Sequence, residues 1–188
     1  VPSSKVTELF PWRPPGMDKA GVDCLEVLID RCHHHGMQFI ADIRMNDRHG
    51  GPRKGLAKEH PEWALLGSGN DFAIQGVRDA MLTFSREVLD TYDVDGLEYD
   101  YMRWCHMFQP GQGKQNAHLL TDFTRRTRKL LDEAAMRRGC ERLALGVRVP
   151  QNIKECDYLG FDLATWIKEG LVDYVVPSDF FHSDTNMK

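Results

Sequence analysis

The sequence predicts an α/β protein with a parallel β-sheet, organised as a single domain over residues 1–188. Apolar runs of strand length alternate along the chain with amphipathic runs of 8–20 residues, which is the order of βαβ units. Several of the apolar runs end in clusters of carboxylates and arginines, and the carboxyl ends of parallel strands converge at one side of a sheet. A Gly-rich phosphate loop, typical of doubly wound sheets, is not found: Gly50-Gly51 and Gly111-Gln112-Gly113 lack the strand–turn–helix context.

The first half of the chain is divided by its proline, glycine and apolar spacing. The predicted segments are an irregular lead-in over residues 1–16, a helix over 17–35 closed by Gly36, a strand over 37–45, a loop from 46 to about 70, and a brief strand over 71–75. A loop of this length without structure is uncommon in compact domains and is often functional.

The second half shows the same alternation more regularly. The predicted segments are a helix over 77–92, a strand over 96–102, a helix over 117–138 ended by Gly139, a strand over 143–149 closed by Pro150, a helix over 162–169 capped by Asp162, and a strand over 172–176. We detect no internal repeat and no low-complexity segment.

Residues 94–104, Val-Asp-Gly-Leu-Glu-Tyr-Asp-Tyr-Met-Arg-Trp, are the most informative stretch. In a strand, Glu98 and Asp100 share one face and Leu97 and Tyr99 the other. Burying a carboxylate is costly without partners, so we expect Arg44 or Arg148 to contact one of these two carboxylates. The simpler alternative is a charge at a fraying strand end that only pairs with Arg103.

Polar residues at the other predicted strand ends extend this candidate site. Asp100 is the first choice for a catalytic carboxylate, Asp179 is the favoured partner because it ends another strand, and Glu98 is expected to lie deeper and to orient an arginine. The candidate substrate-binding residues are Asp42, Arg44, Asn46, Trp63, Arg103, Trp104, Arg148 and His182. Trp63 and Trp104 are candidates for stacking on a sugar ring, whereas Trp12 and Trp166 can equally be core residues.

Composition narrows the classes of partner. A net charge of −4 argues against a nucleic-acid surface, and no apolar run approaches the roughly 20 residues that a membrane span needs. The five cysteines follow no paired spacing, so a disulfide framework is not expected, and the chain does not decide between a secreted and a cytoplasmic location. No cofactor is expected, and the sequence says nothing of oligomeric state.

A metal site is the main chemical alternative. His33, His34 and His35 are consecutive in the last turn of a helix, where they point in different directions and suit the helix dipole better than a zinc ion. His49, His106 and His182 all follow strand ends. A metal-dependent hydrolase would use Asp42, Asp100, His106 and His182.

Three segments resemble the bacterial glycoside-hydrolase-like (β/α)8 barrels of the family 10 glycosylhydrolase-like group. They are residues 77–103 with Tyr92-Asp-Val-Asp-Gly-Leu-Glu-Tyr-Asp-Tyr-Met-Arg103, residues 36–46 with polar Arg44 and Asn46, and the loop His60-Pro61-Glu62-Trp63. The resemblance implies that Asp100 is a catalytic-site carboxylate at the end of the fourth strand. Because a complete barrel takes about 250 residues, it also implies an incomplete barrel, without the first strand and the last two βα units.

The function that this resemblance implies is hydrolysis of a poly- or oligosaccharide by two carboxylates. The arginines would bind sugar hydroxyls or an acidic sugar and would keep Asp100 ionised. A non-catalytic glycan-binding barrel and the metal-dependent hydrolase remain the alternatives. The second carboxylate decides between hydrolysis and binding alone, since a hydrolase needs one within about 10 Å of Asp100.

Overall fold

The computed structural model describes residues 21–46, 59–65 and 69–179. Helices and strands alternate along these residues, as the sequence predicts. The elements are α1 (Cys24–His34), β1 (Ile40–Arg44), a 3-10 turn (Pro61–Trp63), α2 (Gln75–Thr91), β2 (Gly96–Asp100), α3 (Gly113–Arg138), β3 (Ala144–Pro150), α4 (Ile153–Leu159), α5 (Leu163–Lys168) and β4 (Tyr174–Ser178). No helix of the described residues is long and apolar enough to cross a membrane.

The four strands form one parallel sheet in the order β1-β2-β3-β4. This confirms the predicted α/β class and parallel sheet. Each strand therefore lies beside the next in the chain, and all four carboxyl ends lie at the same edge of the sheet.

One face of the sheet carries the apolar core. Tyr99 is fully buried on this face, and its hydroxyl lies 2.7 Å from Ser85 Oγ of α2 and 3.1 Å from Thr127 Oγ1 of α3. Trp166 of α5 is also fully buried, and its indole N–H donates to Thr121. Of the two placements that the sequence left open for it, sugar stacking or core, the structure has the core. Because Tyr99 faces the helices, Glu98 and Asp100 face the opposite side, which confirms the predicted register.

The brief strand predicted at Asp71–Gln75 is wrong. The Asp71 carboxylate accepts the Ala73 backbone N–H at 2.9 Å and the Asp71 carbonyl accepts from Ile74, so these residues turn and lead directly into α2. A short polar side chain that binds the local backbone competes with strand pairing. As a result β1 pairs directly with β2, and β2 is the second described strand.

The first helix begins later than predicted. Asp23 caps α1 by accepting the Leu25 N–H at 2.8 Å, so the helix starts at Cys24. The predicted helix covered residues 17–35, and its first four residues lie outside the described part of the chain. The helix α4 was not predicted. It has only seven residues, and its Ile153 and Tyr158 are exposed, so the sequence carries little periodic signal there.

Candidate functional site

The candidate site lies on the sheet face opposite the helices, which we call the inner face, near the carboxyl ends of the strands. Strand register arranges the inward residues in two rows across the sheet. The lower row is Asp42, Glu98, Gly146 and Tyr174, and the upper row, one step nearer the carboxyl ends, is Arg44, Asp100, Arg148 and Val176. The structure therefore brings five of the predicted site residues side by side.

Asp100 is the most buried carboxylate of the inner face, with 3% of its surface exposed. One carboxylate oxygen accepts the Met102 backbone N–H at 2.7 Å, and the other accepts from Arg148 Nη1 at 3.1 Å. Both donors stabilise a negative charge that would otherwise be costly to bury. The predicted contact between an arginine and one of the two carboxylates is confirmed for Arg148 and Asp100.

Arg148 joins three strands. Its Nη1 binds Asp100 on β2, and its Nη2 donates to Ser178 Oγ on β4 at 2.8 Å. The fork geometry of a guanidinium fixes both partners at once. The direction of the Asp100 carboxylate is therefore set by a rigid group from the neighbouring strand.

Glu98 lies in the lower row beside Tyr174, whose ring covers Gly146. A Cβ atom at Gly146 would overlap the Tyr174 ring, so the glycine makes room for it. Burial and then a hydrogen bond from its hydroxyl to the Glu98 carboxylate raise the pKa of Tyr174 well above its usual range. The Tyr174 hydroxyl therefore faces the Glu98 carboxylate.

Asp42 is the third carboxylate of the inner face and is partly open to solvent. Partial burial, followed by the negative charges of Asp100 and Glu98, raises the pKa of Asp42 to about 6, against the opposing effect of Arg148 and Arg44. Asp42 therefore exchanges its proton under mildly acidic conditions.

Asn46 connects the segments that follow β1 and β2. It is 2% exposed, and its side-chain amide donates to the carbonyls of Asn70 and His106, both at 3.1 Å, while its oxygen accepts the Asn70 N–H at 2.9 Å. The polar atoms of Asn46, a predicted sugar-binding residue, are therefore already bonded to backbone groups. Its binding to sugar stays a prediction.

The two candidate stacking platforms already contact neighbouring rings. Trp63 stacks on His60 with ring centroids 3.8 Å apart and planes 7° apart, and its indole also packs against Gly76. Trp104 is half-buried and lies 5.4 Å from the His106 ring. Stacking of a sugar on either ring stays a prediction.

The remaining predicted residues lie at the rim. Arg44 is exposed and Arg103 is half-buried. Asp179 follows Ser178, and its carboxylate accepts a hydrogen bond from Gln151 Nε2 at 3.3 Å. Because side chains alternate along a strand, Asp179 lies on the same side of the sheet as Gln151 and on the opposite side from Arg148. His182 and Trp12 lie outside the described residues.

The metal alternative finds no ready ligand set in the described part of the chain. Among residues 21–46, 59–65 and 69–179, no group of three or more His, Cys, Asp or Glu side chains could hold a metal ion. His182, one of the four predicted ligands, is not among them. His33 instead contacts Asp95 at 2.9 Å.

Sequence reasoning missed Tyr174 as a site residue. The sequence does carry a clue, because Tyr174, Val176 and Ser178 are every second residue of the last strand and therefore share the face of its polar end. What the sequence could not supply is the register that places Tyr174 opposite Gly146 and within reach of Glu98.

Comparison with solved structures identifies the fold. The chain is similar to a GH18 chitinase from Cycas revoluta in complex with (GlcNAc)4, with a TM-score of 0.53 and 17% identity over 90% of this chain and 43% of that chain. It is similar to a glycoside hydrolase family 18 N-acetylglucosaminidase from Paenibacillus barengoltzii, with a TM-score of 0.50 and 16% identity over 83% of this chain and 40% of that chain. A maltogenic alpha-amylase, AmyB from Thermotoga neapolitana, is 23% identical over 73% of this chain and 30% of that chain, with a TM-score of 0.47.

At these identities the likeness shows the fold alone. The described residues form part of a (β/α)8 barrel, and their strands are four of the eight that such a barrel contains. The chain spans less than half the length of each of these solved structures. No family model and no curated protein matches the sequence.

Proposed function

We propose that the protein hydrolyses glycosidic bonds in a poly- or oligosaccharide, with Asp100 as the nucleophile or the base. The observation that carries the proposal is the environment of Asp100. It is a buried carboxylate at the carboxyl end of a barrel strand, on the inner face, oriented by Arg148 and the Met102 N–H. Catalytic residues of this fold lie at the carboxyl ends of the strands.

The neighbouring residues supply the other roles. Arg148 and Ser178 position Asp100, and Glu98 is held below it by Tyr174. Hydrolysis also needs a group that protonates the leaving oxygen. The sequence favours Asp179 for it, although alternation along β4 places Asp179 with Gln151 and not with the inner-face residues. The predicted sugar contacts come from exposed or half-buried side chains, namely Asp42, Arg44, Trp63, Arg103 and Trp104.

The comparisons support the class of substrate. The Cycas revoluta chitinase is in complex with (GlcNAc)4, and the Paenibacillus barengoltzii protein is an N-acetylglucosaminidase. Both are carbohydrate-active enzymes built on the same barrel. Closer kinship with the family 10 glycosylhydrolase-like group rests on the motif around Asp100 and is part of the proposal.

The test is turnover by the full-length protein and by its Asp100→Asn variant. A panel of polysaccharides is screened by the release of reducing ends, beginning with (GlcNAc)4. Asn is nearly isosteric with Asp but can serve as neither nucleophile nor base. We therefore expect kcat to fall by roughly 10²–10⁴ while the circular dichroism spectrum is unchanged.

Asp157→Asn is the matched control, since it makes the same substitution at an exposed position on α4. It should keep the wild-type rate. Near wild-type turnover by Asp100→Asn would make Asp100 a structural residue. Glycan binding without turnover on any member of the panel would overturn hydrolysis in favour of a glycan-binding barrel.

A further inference from the structure

The three carboxylates of the inner face differ in what surrounds them. Asp100 has two donors, Arg148 and the Met102 N–H, and Glu98 has the Tyr174 hydroxyl. Within residues 21–46, 59–65 and 69–179, no hydrogen bond or ion pair reaches the Asp42 carboxyl. Within the described part of the chain, Asp42 is also the most exposed of the three.

The sheet sets the distance between Asp42 and Asp100. Asp42 is opposite Glu98 in the register, which places it one strand across and two residues below Asp100. Strands lie about 4.8 Å apart and rise about 3.3 Å per residue, so the two Cα atoms are roughly 8 Å apart. Both side chains project from the same face, and glycoside hydrolases use carboxyl pairs separated by roughly 5–9.5 Å.

We propose that Asp42 is the general acid of this site and donates its proton to the leaving oxygen of the glycosidic bond. The inference rests on the proposed function. As the bond between the anomeric carbon and the leaving oxygen breaks, its electron pair stays on that oxygen, which takes the proton from Asp42. The new bond to the anomeric carbon comes from the Asp100 carboxylate or from a water whose proton passes to Asp100.

The charges around Asp42 favour a retained proton. A general acid must still hold its proton near the working pH, and two neighbouring carboxylates that differ in environment can divide the acid and base roles. The pKa of Asp42 is raised to about 6 by partial burial, Asp100 and Glu98. The groups that face it are Arg44 from its own strand, Glu98 and Asp100 from β2, Arg148 from β3 and Tyr174 from β4.

The first experiment needs no substrate. Carboxyl carbon NMR follows the titration of Asp42 in the wild type, in Asp100→Asn and in the Asp157→Asn control. We expect a midpoint near pH 6 in the wild type and the control, as the raised pKa of Asp42 requires, and a lower midpoint in Asp100→Asn. A wild-type midpoint near 4, or one that Asp100→Asn leaves unchanged, would overturn the proposal.

The second experiment separates Asp42 from Asp179. Turnover of the substrate returned by the screen is compared with that of its 2,4-dinitrophenyl glycoside, whose leaving group needs no proton. For Asp42→Asn we expect a loss of roughly 10²–10⁴ on the natural substrate and a much smaller loss on the aryl glycoside. The alkaline limb of the pH profile should also disappear.

The outcomes distinguish this inference from the proposed function. If Asp179→Asn shows the leaving-group pattern while Asp42→Asn behaves as the wild type, the assignment of Asp42 fails and hydrolysis stands. If Asp100→Asn keeps its rate on both substrates, the proposed function itself fails. The NMR titration tests Asp42 in either case.

Discussion

The two ends of the sheet use charged residues in different ways. At the amino-terminal end, Asp173 precedes β4 and accepts from Arg128 at 3.1 Å, from Arg142 at 2.6 Å and from the Leu145 N–H at 2.7 Å. Every one of these donors belongs to the sheet or to a segment that packs against it. The carboxylate therefore ties α3, β3 and β4 together.

Another arginine at the same end binds mainly backbone carbonyls, beside an ion pair with the Asp93 carboxylate at 3.6 Å. Arg138, the last residue of α3, donates to the carbonyls of Val94 at 2.6 Å, Tyr92 at 2.7 Å and Leu89. Here a cation binds carbonyls of the last turn of α2 and of the segment between α2 and β2. Charge at this end completes the hydrogen bonding of the fold.

The carboxyl-terminal end is less completely paired. Arg148 compensates Asp100, but Asp42 faces two other carboxylates and carries a raised pKa. Unfavourable electrostatics of this kind cluster at functional sites, and in this fold the two ends commonly divide between stability and catalysis. We therefore expect substitutions at the amino-terminal end to change stability and those at the carboxyl-terminal end to change activity.

The sharpest test of this division measures both the kcat and the free energy of unfolding of Asp100→Asn. The expected fall in kcat corresponds to roughly 3–5 kcal/mol of transition-state stabilisation. The free energy of unfolding should fall by no more than about 1–2 kcal/mol, because Asn can still accept the Met102 N–H. Urea denaturation measures it, and a larger loss would place Asp100 with the structural charges.

Asp173→Ala is the counterpart at the other end. It leaves Arg128, whose side chain is 6% exposed, without one of its carboxylates and leaves the Leu145 N–H without its acceptor. We expect a loss of about 2–4 kcal/mol in the free energy of unfolding. Asp173→Asn, which keeps an acceptor oxygen, should lose less.

Activity is the control for that variant. The folded fraction of Asp173→Ala should retain the wild-type kcat, measured below its unfolding transition. A variant of wild-type stability that loses turnover would reverse the roles of the two ends.

A smaller effect is expected for Gly146→Ala. The added methyl meets the ring of Tyr174, which must swing aside and lose its contact with Glu98. Overpacking of this kind costs roughly 1–3 kcal/mol. In a double-mutant cycle, Tyr174→Ala should remove most of that cost, whereas additive losses would mean that the ring does not cover Gly146.

The smallest expected change in stability is that of Asp42→Asn, which should stabilise the protein where the other substitutions destabilise it. Its pKa is about 6 in the folded protein and 3.8 in an unperturbed chain, so the folded state binds more protons between these values. Wild-type stability therefore falls as pH rises from about 4 to 6. Asp42→Asn should be more stable than the wild type at pH 7, by about 0.5 kcal/mol or less because solvent screens an exposed group.

At pH 3.5 the two proteins should unfold at the same urea concentration, since the wild-type carboxyl is then protonated. A variant less stable than the wild type at pH 7 would mean that ionised Asp42 has a favourable partner. That result would also weaken its assignment as the general acid.

The contrast between the ends was only partly predictable from sequence. The alternation of apolar and charged residues around Asp100 was enough to orient β2. Equal parity was enough to expect Arg44 or Arg148 at one of the two carboxylates, and the structure has Arg148 at Asp100. The environment of Glu98 was not predictable, because it needs Tyr174, two strands away, to lie over Gly146 on the strand between them. The hydrogen bonds of Asn46 to the backbone were not predictable either, because they join residues 24 and 60 positions apart in the chain.

The side-chain amide of Asn46 has a consequence for engineering the barrel. The (β/α)8 fold supports many chemistries through variation of the loops that follow its strands. Here one amide is shared by Asn70 and His106, and Gly69, in a left-handed conformation with φ of 87°, leaves room for it. The segments around Asn70 and His106 are therefore held to each other by one side chain, and a transplant that keeps only one of them would lose half of the hydrogen bonds of Asn46 to backbone carbonyls.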